Sequence, residues 1–108
     1  MDKELIWLPN TKIKTPPFSA KARKEVGIIL RSLQKNVKLT LPVSRTMPII
    51  GPKCHELRIV DVDKSWRIFY RIDIDAIFVL EIVLKKTSKT PKEVISLCKQ
   101  RYKQCDTF

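Results

Sequence analysis

Residues 53–87 read KCHELRIVDVDKSWRIFYRIDIDAIFVLEIVLKKT, and this stretch decides the fold because it holds three strand-like runs with short turns between them. Residues 55–62 alternate in part, with Leu57 and Ile59 on one face and Glu56 and Arg58 on the other. Asp63-Lys64-Ser65 forms a turn. Residues 66–72 then set Trp66, Ile68, Tyr70 and Ile72 opposite Arg67, Phe69 and Arg71. After a second turn at 73–75, residues 76–84 are apolar except for Glu81, the pattern of a strand buried on both faces. Short turns of this kind predict an antiparallel meander. Arg58, Arg67, Arg71, Lys85 and Lys86 lie in or beside these strands. A packed sheet has no need of cations repeated across its strands, whereas a surface that meets a polyanion does.

Upstream, residues 3–8 (KELIWL) predict a short strand stopped by Pro9, and residues 10–17 (NTKIKTPP) a loop. Residues 18–35 predict a helix: at helical spacing Phe18, Ala22, Val26, Ile29, Leu30 and Leu33 fall within an arc of roughly 120°. Lys21, Arg23, Lys24, Arg31 and Lys35 lie outside that arc, and Ser19 is placed to cap the N-terminus. Gly27 in mid-helix costs about 1 kcal/mol against Ala, which points to close approach of another backbone. Residues 36–52 form a proline-rich connection, packed through Met47, Ile49 and Ile50. Downstream, Thr90-Pro91-Lys92-Glu93 has the pattern of a helix start, with Thr as cap and Pro at the first position. Val94, Leu97, Cys98, Tyr102 and Cys105 share one stripe of that helix. The order β-α-βββ-α predicts a single α+β domain over residues 1–108, an antiparallel meander packed with helices.

The net charge of +11 is unevenly spread. Residues 11–53 carry ten Lys/Arg and one acid, and residues 85–108 carry seven and two. Residues 54–84 carry four Lys/Arg against six acids, so basic flanks enclose a near-neutral sheet. Nucleic acid is the leading partner for such a pattern, with an anionic membrane or an acidic protein behind it. No apolar run approaches the ~20 residues that span a bilayer, and MDKELIWLPN lacks the features of a signal peptide. A cytosolic protein is expected. Cys54, Cys98 and Cys105 form no CxxC pair and are expected as reduced, packed thiols.

Most enzyme chemistries find no residues here. His55 is the one histidine, the chain has two glycines and so no phosphate loop, and no cluster has metal-ligand spacing. No metal and no cofactor are expected. RNA cleavage remains, because RNA brings its own nucleophile, the 2′-hydroxyl. It requires a base for that hydroxyl, cations for the crowded phosphorane and a proton for the leaving oxygen. Arg and Lys hold the phosphate, and a carboxylate or a perturbed lysine serves as base. Glu56 and Arg58 share a strand face, Arg67 lies on the next strand, and Lys85 and Lys86 end the third, so all five are candidate catalytic residues.

The segments MPIIGP (47–52), HELRI (55–59), WRIFYRI (66–72), AIFVLEIVLKKTSKTP (76–91) and EVISLCKQRY (93–102) together resemble the RelE/HigB family of bacterial type II toxins. The likeness is strongest to its phage-derived HigB-like branch. The resemblance implies a RelE/ParE-like α+β fold and a ribosome-dependent mRNA interferase, a metal-independent endoribonuclease acting through the 2′-hydroxyl. It implies as partners the ribosome, messenger RNA and a cognate helix-turn-helix antitoxin. By position it makes Arg58 a cationic residue of the first meander strand, Arg67 the phosphate-binding arginine of the second, and Lys86, with Lys85, the basic residue after the last. Glu56 stands where the RelE branch has a lysine, and Glu81 where many HigB-like members have a histidine. Lys21, Lys24, Arg31, Lys53 and Lys89 are expected to supply the field that approaches RNA. Two alternatives stand beside this reading: a ParE-like inhibitor of DNA gyrase, and a catalytically weakened basic module that binds nucleic acid.

Overall fold

The expected meander is present in the computed structural model, which describes residues 2–8, 18–39, 43–86 and 88–107. Strands β3 (Cys54–Asp61), β4 (Lys64–Ile72) and β5 (Ala76–Leu84) pair antiparallel in sequence order. Two further strands complete a five-stranded sheet of order β1-β5-β4-β3-β2. β1 (Glu4–Trp7) runs parallel to β5, so the sheet is mixed and not antiparallel throughout. β2 (Ser44–Thr46) pairs antiparallel with β3, inside the stretch expected to be connection alone. Three residues are too few to show a period of two; the strand exists because its backbone pairs with β3. The expected stop at Pro9, the loop at 10–17 and residues 40–42 of the connection lie outside the described residues.

Helix α1 (Ala20–Gln34) covers one face of the sheet. Ala22, Val26, Leu30 and Leu33 pack there with Phe18 against Leu57, Ile59, Trp66, Ile68, Tyr70, Ile77 and Val79. Ser19 caps the helix as expected, its Oγ accepting from the Ala22 amide at 3.1 Å. The Ser19 amide in turn donates to Asp61 Oδ2 at 3.0 Å, which pins the helix start to the end of β3; hydrogen bonding from the Ser19 side chain, and then from its amide, holds the Asp61 carboxyl below its ordinary pKa. At the other end Asn36 takes a left-handed φ of 67°, and the amides of Asn36 and Val37 return to the Leu33 and Ser32 carbonyls. This is a Schellman closure with Asn in the place glycine usually fills. Gly27 answers to no close approach: a Cβ built on it meets nothing within 4 Å. It lies on the exposed side of α1, where helical period alone says nothing of a neighbour.

Helix α2 (Lys92–Gln104) and the 3₁₀ turn Cys105–Thr107 cover the opposite face. Cys54, Phe69, Phe78, Leu80, Cys98 and Cys105 form that second apolar layer, joined by Val94, Ile95 and Tyr102. The three thiols are free and buried. Burial pushes Cys54 and Cys98 up to about 12 and Cys105 to about 11. Pro91, and not Thr90, is the N-cap of α2; its carbonyl accepts from the Val94 and Ile95 amides. Thr90 Oγ1 is buried without a hydrogen bond among the described residues.

Two features hold α2 to the sheet. Arg71 is 7% exposed and donates to the Tyr102 carbonyl at 2.8 Å and to Asp106 Oδ1 at 2.7 Å, with its guanidinium 4.5 Å from the Tyr102 ring centre. Arg71 is therefore an interior tie and leaves the set of cations that face a polyanion. The second is a bulge. Phe69 pairs with Glu81 but Tyr70 pairs with Val79, so Leu80 is an extra residue in β5. The bulge turns both Leu80 and Glu81 toward α2. There Arg101 donates to the Leu80 carbonyl at 2.6 Å and faces Glu81 Oε2 at 3.6 Å.

Candidate functional site

The α2 side of the sheet is covered unevenly. The helix packs over β5, and on the β2–β3 part of that face Arg45 and Arg58 are exposed. On that part, register alone sets out the charges. Arg58 of β3 lies opposite Arg67 of β4, and Arg67 lies opposite Val83 of β5. Glu56 lies two residues back along β3 on the same face, opposite Arg45 of β2.

Glu56 is the centre of the group. Its side chain is 3% exposed, with Oε2 accepting from Arg45 Nη2 at 3.2 Å and Oε1 at 3.6 Å from Arg67 Nε. Arg67 is 2% exposed and donates from Nη2 to the Ser88 carbonyl at 2.9 Å. That bond braces the segment after β5, which carries Lys85 and Lys86. The Lys85 amide also donates to the Ser65 carbonyl at 2.8 Å, which fixes the segment to the start of β4. The Lys85 amine is held below its ordinary pKa by partial desolvation, then by the neighbouring Arg58 and Arg67 charges, with Glu56 opposing them. Arg58 and Lys86 are exposed, and the Arg58 side chain has no hydrogen bond or ion pair among the described residues.

Two clefts open beside these groups. One of ≈ 580 Å³ lies between the β3–β4 turn and the segment after β5, with Lys85, Lys86 and Ser88 on one side and Val60, Asp61, Asp63, Lys64 and Ser65 on the other. The other, of ≈ 490 Å³, is lined by Arg67, Val83, Leu84, Lys86, Pro91 and Val94. Cations that share one wall and a buried carboxylate that orients two guanidinium groups can bind an anion with little rearrangement.

The structure brings together Arg58, Arg67, Lys85, Lys86 and Glu56 of the residues singled out in the sequence. It does not bring most of the wider basic set to them. Lys21, Lys24 and Arg31 belong to α1, on the other face of the sheet, and Arg31 pairs with Asp2 at 2.7 Å. Lys53 precedes β3 at the far end of the strand from Arg58 and pairs with Asp73 at 3.2 Å. Lys89 follows Ser88 and stays exposed near the cluster. Glu81 faces Arg101 and the bulge, with Oε1 accepting from the Ile82 amide at 2.9 Å. Its place is thus in the α2 attachment.

Sequence reasoning missed Arg45, because β2 was not visible as a strand. It also missed the burial of Glu56 and Arg67. Tyr70 and Tyr102 both make structural contacts. The Tyr70 hydroxyl is 2.9 Å from Ser44 Oγ, and the Tyr102 hydroxyl accepts from the Lys53 amide at 3.1 Å. Among the described residues no group of three His, Cys, Asp or Glu is placed to hold a metal, and no helix is long and apolar enough to cross a membrane.

The model of a protein family described as phage derived protein Gp49-like (DUF891) matches residues 16–103, a span that holds α1, strands β2 to β5, the cationic cluster and nearly all of α2. No curated protein and no solved structure matches the chain.

Proposed function

The chain belongs to the Gp49-like family of phage-derived proteins, and from that membership and the cationic cluster we propose that it is the toxin of a type II toxin–antitoxin pair, acting as a ribosome-dependent mRNA interferase on a RelE-like fold. The family is known in a toxin–antitoxin context, and the five-stranded mixed sheet with two helices is consistent with that fold. The observation that carries the reading is the gathering of Arg58, Lys85 and Lys86 at one open end of the sheet, over the buried Glu56–Arg67 pair.

In this reading Arg58 and Lys86 bind the scissile phosphate. Lys85 in its neutral form takes the proton of the 2′-hydroxyl as that oxygen attacks the adjacent phosphorus. The bond from phosphorus to the 5′-oxygen breaks, and the leaving oxygen takes a proton from an ammonium of the cluster. The products are a 2′,3′-cyclic phosphate and a 5′-hydroxyl. Arg67, enclosed by Glu56 and the Ser88 carbonyl, is a positioning residue: it braces the lysine segment and raises the local positive potential. Glu56 is occupied by two arginines and so holds them in place, which leaves the base role to Lys85.

Inducing the chain in a bacterial host and mapping messenger 5′ ends tests the proposal. Codon-phased cuts that disappear in Lys85→Ala and Arg58→Ala support it. Growth arrest with DNA damage and no cuts would replace it with gyrase inhibition. Arrest by neither route would leave the basic binding module. An adjacent reading frame for a helix-turn-helix protein would supply the antitoxin.

A further inference from the structure

Arg45 is the one member of the cluster that the proposed cleavage chemistry does not use. It lies on the edge strand β2, opposite Glu56 and on the same sheet face as Arg58 and Arg67. Its side chain is 45% exposed although it pairs with a carboxylate that is 3% exposed. Glu56 therefore holds the guanidinium by one edge while the rest faces solvent, and Arg67 still balances Glu56 if Arg45 swings away. The Lys85 amine senses the Arg45 charge together with those of Arg58 and Arg67. Neighbouring strands are about 4.8 Å apart and two residues rise about 6.7 Å, so Arg45 and Arg58 sit on a diagonal of roughly 8 Å. Extended side chains from two such positions suit adjacent phosphates of one single strand. A lone anion would need only one of them.

We infer that Arg45 is a second phosphate-binding residue, which grips the phosphate next to the one held by Arg58 and so extends the site onto the β2 edge of the sheet. The inference rests on the RNA-directed reading of the cluster. It assigns the edge strand a function: β2 presents one arginine at a fixed offset from the reactive phosphate. Glu56 has a matching task, since it keeps the Arg45 guanidinium oriented before RNA arrives, so that little entropy is given up when the phosphate is gripped.

Binding of a short 2′-O-methyl oligoribonucleotide, which cannot be cleaved, measures this directly. The salt dependence of the affinity falls by about 0.7 in log–log slope for each phosphate of a single strand that the protein no longer neutralises. Arg45→Gln is expected to lower the slope by that amount and weaken binding several-fold, while Arg45→Lys keeps the slope. Both variants should melt within a few degrees of the parent, because the Arg45 side chain is 45% exposed and Arg67 remains beside Glu56. An unchanged slope in Arg45→Gln, with binding still abolished in Arg58→Gln, overturns the inference alone. If Arg58→Gln binds as the parent does, the RNA-directed reading falls and this inference with it; if the parent does not bind the free oligoribonucleotide, the two-phosphate grip on a single strand is overturned while the ribosome-dependent reading stands. A slope lowered equally for duplex DNA would show a general anion contact and overturn the single-strand assignment.

Discussion

Replacing Glu56 by Gln separates two roles that a carboxylate among arginines could have. The substitution keeps the shape and removes the charge. The Arg45 contact is half exposed and contributes less than about 1 kcal/mol. The Arg67 contact lies between side chains 2% and 3% exposed, so its removal leaves a buried cation with one anion fewer. Breaking a close buried pair costs about 3–5 kcal/mol. Here the separation is 3.6 Å and the Ser88 carbonyl still accepts from Arg67. The cost should therefore be nearer to about 2 kcal/mol. For a domain of this size that lowers the melting temperature by about 8–15 °C. The same change removes the carboxylate at the centre of the cluster, so affinity for RNA should rise at low salt. Cleavage at saturating RNA should persist, because the proposed base is Lys85. Calorimetry and single-turnover cleavage at a temperature where the variant is folded read the two effects. A melting temperature within a few degrees of the parent would refute the view that Glu56 holds the site together. Cleavage reduced as far as in Lys85→Ala would show that Glu56 is itself the base.

Gly27→Ala should stabilise the protein by up to about 1 kcal/mol, a rise of several degrees in thermal melting, because α1 gains a better helix former and the added Cβ meets nothing within 4 Å. A fall in stability would restore the close approach expected from the sequence. Gly51→Ala should do the reverse, since its Cβ would collide with the Tyr102 ring and push the hydroxyl away from the Lys53 amide, which it meets at 3.1 Å; unchanged melting would refute that packing. His55 is held below its ordinary 6.5 by burial, and the folded state thus binds its proton less readily than the unfolded chain. Stability should be complete above pH 6.5 and decline as pH falls below it, and His55→Gln should flatten that decline in melts between neutral and mildly acidic pH. Cys54, Cys98 and Cys105 should resist iodoacetamide in the folded protein and react together in denaturant; fast alkylation of the native state would contradict their burial.

The meander was legible because its signals are local. Turn residues at 63–65 and 73–75 and an apolar run at 76–84 need no knowledge of neighbours, and the same is true of Ser19 before α1. What sequence reasoning missed depends on pairing across the sheet. β2 has three residues and exists through β3, and the parallel sense of β1 is set by its pairing with β5, far along the chain. The bulge at Leu80 hides in a strand whose residues are apolar on both faces, so no break in alternation betrays it. Arg67 and Arg71 follow the same one-dimensional pattern on β4, yet one braces the lysine segment and the other ties α2 through Tyr102 and Asp106. Only the position of a second element, two strands or a helix away, distinguishes them. The α1 and Lys53 cations look as suitable for RNA as Arg58 does when only the sequence is known; the fold places them on another face or at the other end of the strand.

The central claim is that the cluster of Arg58, Lys85 and Lys86 cuts RNA through its 2′-hydroxyl. The most direct measurement places a single 2′-deoxynucleotide at a mapped cut site in a messenger bound to translating ribosomes and follows cleavage by the purified protein. The account predicts that the deoxy position is not cut while the matching ribonucleotide yields a 2′,3′-cyclic phosphate and a 5′-hydroxyl. Equal cutting at the deoxy position would contradict it.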